Sequence, residues 1–390
     1  MIGPIVDGIG DRHCLILAAA ESVLASLPAG LAGTTWRDAM KYDRQRWRAE
    51  FAQFWPDYSR KVRDVCRQHR FSPALISGLR LSLLLASQYI AGCDAFLRKC
   101  RPLAVLTDHD RHRMWSALIL VARRQGIPTY TLVHGAVNDN ALGYVPLVAD
   151  KAFCWGELDR NKLIASGADP ARLFIAGCPR LRKGLLADRA VALAKVELDP
   201  GKPLVLLATA PYDIAARLQL AGTFCEAIKK LDGVSGAVRL HPSETLNTYS
   251  ALIARYPDVR FLANSSCTQD EALAAAEVVV VHSSGFGSDA LYQGRLAIVL
   301  DVLDEPLGHG ADLVRYAECP KPRSAGELAD AVRALLWDAA ARDNAFQAAK
   351  RFNRYFCAAC GEDAAGNIAD VLLGHLGASR NTIGPISSES

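Results

Sequence analysis

Two serines and a glycine stand between a run of valines and a helical pattern in the C-terminal half of the chain. Val278–Val281 are four consecutive β-branched residues, which predict a parallel strand buried on both faces. His282, Ser283, Ser284 and Gly285 follow, where the strand is expected to turn into a helix. Hydroxyl groups and the free amides of a helix N-terminus favour anions, so this turn is predicted to hold a phosphate. A plain strand-to-helix connection is the alternative.

The pattern of this turn disfavours two common nucleotide sites. No Gly-Lys-Ser/Thr follows the strand, and the glycines do not have the Gly-x-Gly-x-x-Gly spacing. A Walker A ATPase loop and an ordinary dinucleotide site are therefore both disfavoured.

A second polar motif follows another short apolar strand upstream. Residues 237–240 predict the strand, and His241 and Pro242 come directly after it. Pro242 disfavours helical geometry at His241, which places the imidazole at the carboxyl end of the strand, where open parallel sheets bind ligands. Arg239 is either a phosphate contact or a salt-bridged residue at the strand end. The two motifs are predicted to share one binding site.

Length and composition limit the class of protein. The chain has 390 residues, which is long for one core and predicts two domains. It is 51% hydrophobic and 22% charged, as expected of a globular protein, and its net charge of +4 is too small to predict nucleic-acid binding.

Cysteine usage and the N-terminus indicate a compartment. Eleven cysteines without framework spacing indicate a reducing environment, and the first residues lack a signal-peptide pattern, so a cytoplasmic protein is expected. Cys357 and Cys360 form the one Cys-x-x-Cys pair, which without a second pair does not predict a metal site.

The basic and aromatic run over residues 36–71 has two interpretations. One is an amphipathic surface for anionic lipid or a lipid-linked acceptor, which would make the protein peripheral at the inner membrane. The other is a helix pair with a solvated charged face.

Apolar runs and helical patterns alternate along most of the chain. Strands are predicted at residues 104–107, 129–133 and 151–155, and again at 204–208, 237–240, 259–262, 278–282 and 297–300. This alternation predicts parallel strands with right-handed helical crossovers. Proline and glycine punctuation suggests an N-terminal domain over residues 1–185, a linker over 186–203 and a C-terminal domain over 204–345. Residues 346–376 are predicted to be helical, and residues 377–390 to be a disordered tail.

Several short motifs, in their order along the chain, carry a family resemblance. The N-terminal half contains His134-Gly135, Ala149-Asp150-Lys151, Cys154-Trp155-Gly156-Glu157 and Ile175-Ala176-Gly177-Cys178-Pro179-Arg180. This series resembles bacterial surface-polysaccharide glycosyltransferases. The His-Pro and Ser-Ser pairs of the C-terminal half are similar to those of bacterial sialyltransferases and Kdo transferases, which use CMP-activated sugars. Similar motifs occur in the CDP-glycerol polyol-phosphate transferases.

The resemblance implies a GT-B fold of the α/β class. In that fold two Rossmann-like, doubly wound parallel-sheet domains face a cleft, and a C-terminal helix crosses back to the first domain. The implied activity is glycosyl transfer from a nucleotide-sugar donor. The enzyme is expected to invert the anomeric centre and to need neither a metal nor a cofactor. The implied binding residues are Arg239, His241, Pro242, Ser283, Ser284 and Gly285.

The resemblance also implies substrates. A CMP-linked acidic sugar such as Kdo or sialic acid is preferred as donor, with a glycan or lipid-linked acceptor in lipopolysaccharide or capsule synthesis. The alternatives are a UDP-sugar or CDP-glycerol transferase, a GT-B-like UDP-N-acetylglucosamine 2-epimerase, and a non-catalytic GT-B module.

The acceptor hydroxyl requires a general base from the N-terminal half. Asp108 is the first candidate because it directly follows a predicted strand, and Asp110 lies two residues later. The paired acidic motif of sialyl and Kdo transferases is absent, and either aspartate is alternatively a cap of the helix that carries Trp115. His134 is the rival base, and its other interpretation is a hydrogen-bonding contact of the substrate.

Overall fold

The computed structural model describes residues 5–6, 9, 15–18, 32–41, 44–72, 74–181, 187–375 and 377. Residues 378–390 of the predicted tail and residues 182–186, at the predicted boundary between domain and linker, lie outside the described residues.

The N-terminal half combines long helices with a four-stranded parallel sheet. Its strands are β1 (Leu15–Ala18), β2 (Ala32–Thr35), β3 (Val105–Thr107), β4 (Thr129–Leu132), β5 (Lys151–Cys154) and β6 (Leu173–Ile175). Its helices are α1 (Trp36–Ala39), α2 (Arg44–Gln68), α3 (Ala74–Cys100), α4 (Arg113–Arg124) and α5 (Glu157–Ala165), with a 3₁₀ turn at Pro170–Arg172. The sheet has the order β3-β4-β5-β6, and β1 pairs separately with β2.

The C-terminal half is built on a five-stranded parallel sheet. Its strands are β7 (Leu204–Ala208), β8 (Ser235–Arg239), β9 (Val259–Leu262), β10 (Val278–Val281) and β11 (Leu296–Val299). Its helices are α6 (Arg189–Lys195), α7 (Ile214–Ile228), α8 (Ser250–Arg255), α9 (Gln269–Ala275), α10 (Phe286–Tyr292), α11 (Gly310–Ala317), α12 (Ala325–Trp337), α13 (Ala339–Phe356) and α14 (Gly361–His375).

The order of this second sheet creates a switch point. The strands run β11-β10-β7-β8-β9, so the chain leaves β7 on one side and returns to its other side through β10. A crevice forms where the connections diverge, beyond the carboxyl ends of the two central strands. Every residue of β7 and β10 is buried, as the aliphatic runs predicted.

Local sequence signals explain several helix starts. Thr268 and Glu271 form a reciprocal capping box before α9. Ser324 caps α12 by accepting the Glu327 N–H at 3.2 Å, while the Glu327 carboxylate accepts the N–H of Arg323. The Glu327 carboxylate thus bonds the residue before the cap and not the cap itself.

The basic aromatic run forms a helix pair. Helix α2 packs on α3, and Trp47 Nε1 donates to Ser87 Oγ at 2.9 Å. Phe54 and Phe71 remain exposed. No helix in the described part of the chain is long and apolar enough to cross a membrane.

The last helix crosses back to the N-terminal half. Helix α13 packs on α11 and α12 and also meets α5. Helix α14 then packs Ile368 and Leu372 into the cluster that contains Tyr130 and Phe153 of the first sheet. The predicted arrangement of two Rossmann-like sheets with a returning C-terminal helix is confirmed.

The structure also differs from the predicted element limits. Strand β6 falls within a segment for which no strand was predicted, α6 lies inside the predicted linker, and α13 begins before residue 346. The domain boundaries themselves stay predictions.

Close backbone contact marks the crossing point. The Ala358 N–H donates to Trp155 O at 2.9 Å, and the Cys178 N–H donates to Ala359 O at 2.8 Å. A Cβ atom on Gly156 would lie 2.5 Å from the carbonyl oxygen of Phe356. Only glycine allows the two backbones to approach this closely.

Gly177 provides a test of this contact. Its φ is +96°, and a Cβ there would lie 2.2 Å from Ala359 O. We expect Gly177→Ala to lower the free energy of unfolding by about 2–5 kcal/mol, from backbone strain and a steric clash together. Urea denaturation measures the loss.

Gly167 is the matched control, because its φ is +95° but no atom lies within 4 Å of the built Cβ. Gly167→Ala should cost only the backbone strain, about 1–2 kcal/mol. Equal losses in both variants would contradict a structural role for the contact at Ala359.

Candidate functional site

The segment after β7 connects the two motifs of the C-terminal half. Tyr212 OH and Ser283 Oγ share a short hydrogen bond on one side. On the other side, Thr209 Oγ1 accepts the N–H of His241 at 2.9 Å. Since β7 lies between β10 and β8, the Ser-Ser and His-Pro turns flank the switch point of the sheet. Both motifs therefore lie at one edge of the sheet, and their shared binding site stays a prediction.

Buried polar groups hold the His-Pro turn. The Glu244 carboxylate accepts hydrogen bonds from Thr209 Oγ1 and Tyr249 OH, both at 2.8 Å, and its side chain is fully buried. Arg217 Nε lies 3.6 Å from Glu244 Oε1. Glu244 thus supports the His-Pro turn from its buried side.

The imidazole of His241 has a defined orientation. The Ser243 N–H donates to Nδ1 at 3.2 Å, and Ser243 Oγ lies 2.8 Å from the same atom. In the neutral ring Nδ1 is therefore an acceptor and Nε2 carries the proton. His241 can present this N–H to an anion at the edge of the sheet.

The Ser-Ser turn is half-buried and tightly supported. Ser284 Oγ accepts the Phe286 N–H at 3.2 Å at the start of α10. Gly308 lies against Ser283, because a Cβ on this glycine would be 3.1 Å from the serine Cβ. Gly310 approaches the carbonyl of His282 so closely that a Cβ would lie 2.0 Å from the oxygen. The 308–310 segment therefore packs against the turn.

Arg239 is a buried cation beside this turn. Its side chain bonds Asn264 Oδ1 through Nη2 at 2.6 Å and lies 5.4 Å from the centre of the Phe286 ring. The residue is 9% exposed, and Nε has no partner within the described residues. No carboxylate pairs with Arg239 in the part of the chain that the structure describes, so the salt-bridged interpretation does not apply there. Burial lowers the pKa of this guanidinium.

The N-terminal half presents a pair of histidines. The ring of His134 meets His109 edge to face at 4.4 Å and stacks on Tyr144 at 5.1 Å between centroids. Tyr144 also fixes Gly135, the residue after His134. Its hydroxyl donates to Gly135 O at 2.8 Å and accepts the Gly135 N–H at 3.1 Å. Burial and the neighbouring His109 lower the pKa of His134, while Asp108 and Asp110 act in the opposite direction.

The two candidate aspartates differ in environment. Asp110 is 3% exposed, and its carboxylate accepts the N–H groups of Val148 at 2.7 Å and Ala149 at 3.1 Å. Asp108 is half-buried at the end of β3. Helix α4 begins after His112 without a side-chain cap, so the capping interpretation of both aspartates is wrong.

Two ion pairs join the two halves. Lys162 Nζ of α5 lies 2.5 Å from Asp312 Oδ2 of α11. Arg180 forms two bonds to Asp289, at 3.0 and 3.3 Å, and its guanidinium lies 5.3 Å from the Trp155 ring centre. These pairs hold the loops at the carboxyl ends of the two sheets next to each other. No group of three or more histidine, cysteine, aspartate or glutamate side chains is arranged to hold a metal among the described residues.

Solved structures share this architecture. S. aureus MnaA, solved with UDP, has a TM-score of 0.57 and 11% identity, over 99% of this chain and 96% of that one. Anabaena HepE, solved with UDP and glucose, has a TM-score of 0.55 and 12% identity, over 95% and 94% of the two chains. A Listeria monocytogenes protein assigned as a UDP-N-acetylglucosamine 2-epimerase has a TM-score of 0.54 and 15% identity, over 76% and 81%.

The chain has the GT-B fold. At these identities the likeness concerns the fold alone. No family model matches the sequence, and no curated protein matches it.

Sequence reasoning missed several residues of this region. Tyr212 was missed although it follows a strand and the turn signal Ala210-Pro211, and His109 although it adjoins Asp108. Lys162 and Asp312 are 150 residues apart, and no local pattern relates them.

Asp159 generates a prediction about pH. It is 1% exposed and accepts the N–H of Val137 at a long 3.4 Å, and burial raises its pKa to about 7. An unfolded aspartate titrates near about 3.9. Between these values the folded protein retains a proton that the unfolded chain has released, so the free energy of unfolding falls as pH rises.

We expect Asp159→Asn to remove this loss. Relative to wild type, the variant should gain about 1–4 kcal/mol in free energy of unfolding between about pH 4 and about pH 7. Urea titrations at both ends of the range measure it, with exposed Asp232→Asn as control. A difference from wild type that is independent of pH would contradict the raised pKa.

Proposed function

We propose that this protein is a glycosyltransferase that moves a sugar from a nucleotide-sugar donor to an acceptor hydroxyl. The observation that carries the proposal is the uncompensated charge of Arg239 beside the Ser-Ser turn. A buried cation without a carboxylate is costly unless an anion approaches it. A donor phosphate at the switch point supplies that negative charge.

The residues around the phosphate have complementary roles in this proposal. The hydroxyls of Ser283 and Ser284 and Nε2–H of His241 donate hydrogen bonds to the phosphate oxygens. These donors are placed before the reaction, and they stabilise the charge that develops as the leaving nucleotide departs. No metal is needed for this role in the proposed mechanism.

The donor base is the finer part of the proposal. Two similar structures with TM-scores above 0.5 were solved with UDP, which supports a UDP-linked sugar. The His-Pro and Ser-Ser motifs support the CMP-linked donor expected from the sequence, a preference to which the similar structures add nothing. A thermal-shift panel of UDP, CMP, CDP and GDP separates these donors, since a ligand at about 100 times its Kd stabilises by about 2.7 kcal/mol.

We propose His134 as the general base. Its lowered pKa keeps the imidazole neutral near pH 7, and a neutral imidazole accepts a proton. The acceptor oxygen attacks the anomeric carbon and gives its proton to His134. The bond between that carbon and the phosphate oxygen breaks, and its electron pair leaves with the nucleotide. A single displacement of this kind inverts the anomeric centre.

Asp108 has a supporting role in this mechanism, because its negative charge favours the imidazolium that forms. Asp110 holds the backbone at residues 148–149 with its carboxylate. The acceptor is proposed to be a surface glycan or its lipid-linked precursor, reached at the cytoplasmic face of the membrane.

A UDP-N-acetylglucosamine 2-epimerase is the second candidate function, supported by the similar Listeria protein. An epimerase converts the nucleotide sugar without an acceptor. Incubating the protein with UDP-N-acetylglucosamine alone and following the sugar by NMR separates the two activities.

The phosphate role of the Ser-Ser turn is testable by binding. The double variant Ser283→Ala, Ser284→Ala should weaken UDP binding by about 1–3 kcal/mol, the cost of lost hydrogen bonds to a charged group. Uridine binding should stay near wild type. Calorimetric titration of both ligands gives the comparison.

Ser266→Ala is the matched control for this experiment, because Ser266 is exposed and its hydroxyl donates to Ala263 O in a turn of the same half. This variant should bind both ligands as wild type does. Equal losses for UDP and uridine in the double variant would show that the turn does not recognise phosphate.

The choice of base is testable by pH profiles. We expect His134→Gln to lower kcat by about 100-fold or more. His109→Asn removes a group that lowers the pKa of His134, so the acid limb of the kcat/KM profile should move to higher pH. Asp108→Asn removes a group that raises this pKa, so the limb should move to lower pH.

The plateau of each profile decides between the candidates. If Asp108 were the base, Asp108→Asn would abolish most of kcat at every pH, whereas here the plateau should fall only modestly. Full turnover in His134→Gln would remove His134 from the mechanism.

A further inference from the structure

We infer that Lys162 is a positioning residue. It links the loop that carries His134, the proposed base, to the 308–310 segment that packs on the Ser-Ser turn. The inference rests on the proposed function for its catalytic consequence. Its structural content is a buried ammonium that contacts the loop after β4 in one half of the molecule and the first turn of α11 in the other.

Three contacts define the position of Lys162. The residue is 8% exposed, and Nζ lies 2.5 Å from Asp312 Oδ2 and 3.1 Å from Asp139 Oδ1. The same ammonium donates to the carbonyl of Val137 at 2.9 Å. Asp139 and Val137 belong to the loop after β4, and Asp312 belongs to α11 of the other half. One side chain thus uses two of its three donors within the N-terminal half and the third across the interface between the halves.

The N-terminal loop is held along one edge of α5. The Val137 N–H is directed to Asp159 and its carbonyl to Lys162, and these side chains are one helical turn apart. Residue 137 lies three positions after His134. Tyr144 fixes Gly135 between them, so both ends of this short segment are fastened.

The C-terminal contact leads to the phosphate turn. Asp312 is 3% exposed and lies in the first turn of α11. That helix begins at Gly310, which contacts the His282 carbonyl, and Gly308 contacts Ser283. A displacement of Asp312 therefore displaces the segment that packs on Ser283. Lys162 spans the distance from this segment to the loop that carries His134.

The burial of this ion pair favours a role in geometry over one in stability. Two charges removed from water lose hydration free energy that their attraction only partly restores. The pair requires one arrangement of its partners, however, because a buried charge without a partner is far more costly. Displacing a catalytic group by about 1 Å lowers the rate by about 100-fold.

The experiment compares Lys162→Met, Lys162→Arg and Asp312→Asn with a control variant. The control is Lys195→Met, which removes a lysine that bonds Glu271 at 2.8 Å on an exposed surface. Three quantities are measured for each full-length protein: amide hydrogen exchange, the Kd of UDP, and kcat with KM for the transfer reaction. Asp312→Asn keeps the shape of the side chain in case Lys162→Met fails to fold.

We expect the two variants that remove a charge to speed amide exchange at residues 135–139 by about tenfold, while the strands of both sheets keep their protection. Their kcat should fall by about 10–100-fold with the Kd of UDP within about threefold of wild type. Lys162→Arg should recover part of kcat, and Lys195→Met should match wild type in all three measurements.

Two results would overturn the inference. Unchanged exchange at residues 135–139 would show that Lys162 does not hold this loop. Faster exchange throughout both sheets would show a general loss of stability. If the wild-type protein binds no nucleotide, the proposed function fails by itself, and the exchange at residues 135–139 still decides whether Lys162 links the loops.

Discussion

The backbone contact between residues 356–360 and the ends of β5 and β6 is the constraint on which the rest of the structure depends. Gly156 and Gly177 have no room for a Cβ, so main-chain atoms of the returning chain lie directly against the ends of β5 and β6. The Cys178–Ala359 hydrogen bond then fixes the start of α14. Arg180 follows two residues later and pairs with Asp289 at the base of the Ser-Ser turn. The chain crossing at residues 356–360 and the Arg180–Asp289 ion pair therefore act on the same region. Both hold the ends of β5 and β6 next to the edge of the second sheet that carries the Ser-Ser turn.

The charges at the interface fall into two kinds. Arg180 and Lys162 each have a carboxylate from the opposite half, so each of these cations is paired without any ligand. Arg239 is buried but bonds only an amide and a ring in the described part of the chain. Paired charges satisfy the fold, whereas an unpaired buried cation is tolerated where an external anion completes it. This contrast is the basis on which we propose Arg239 as a residue for binding.

The sequence allowed the second sheet to be predicted closely. Strands β7 and β9 have the predicted limits. Strand β7 is an aliphatic run that is buried throughout, and turn signals bound both strands. The sheet edge that carries His241 and Ser283 was also predictable, since parallel strands bring their carboxyl ends together. Tyr212 and Lys162 were not predictable in their roles, because their partners come from distant parts of the chain. Strand β6 was missed for a related reason, as it is three residues long and pairs only with β5.

The acidic residues show why residue type and position alone do not define a site. Asp108 and Asp110 are two positions apart, yet the Asp110 carboxylate is committed to two backbone amides. Glu244 likewise follows the His-Pro motif but is committed to Thr209 and Tyr249. Such carboxylates stabilise loops, and their hydrogen bonds leave little capacity for a substrate. His134 is held instead by ring contacts with His109 and Tyr144, which orient the imidazole without occupying its nitrogens. Packing of this kind suits the role of general base that we propose for His134, because it fixes the ring and lowers its pKa while the imidazole remains free to accept a proton.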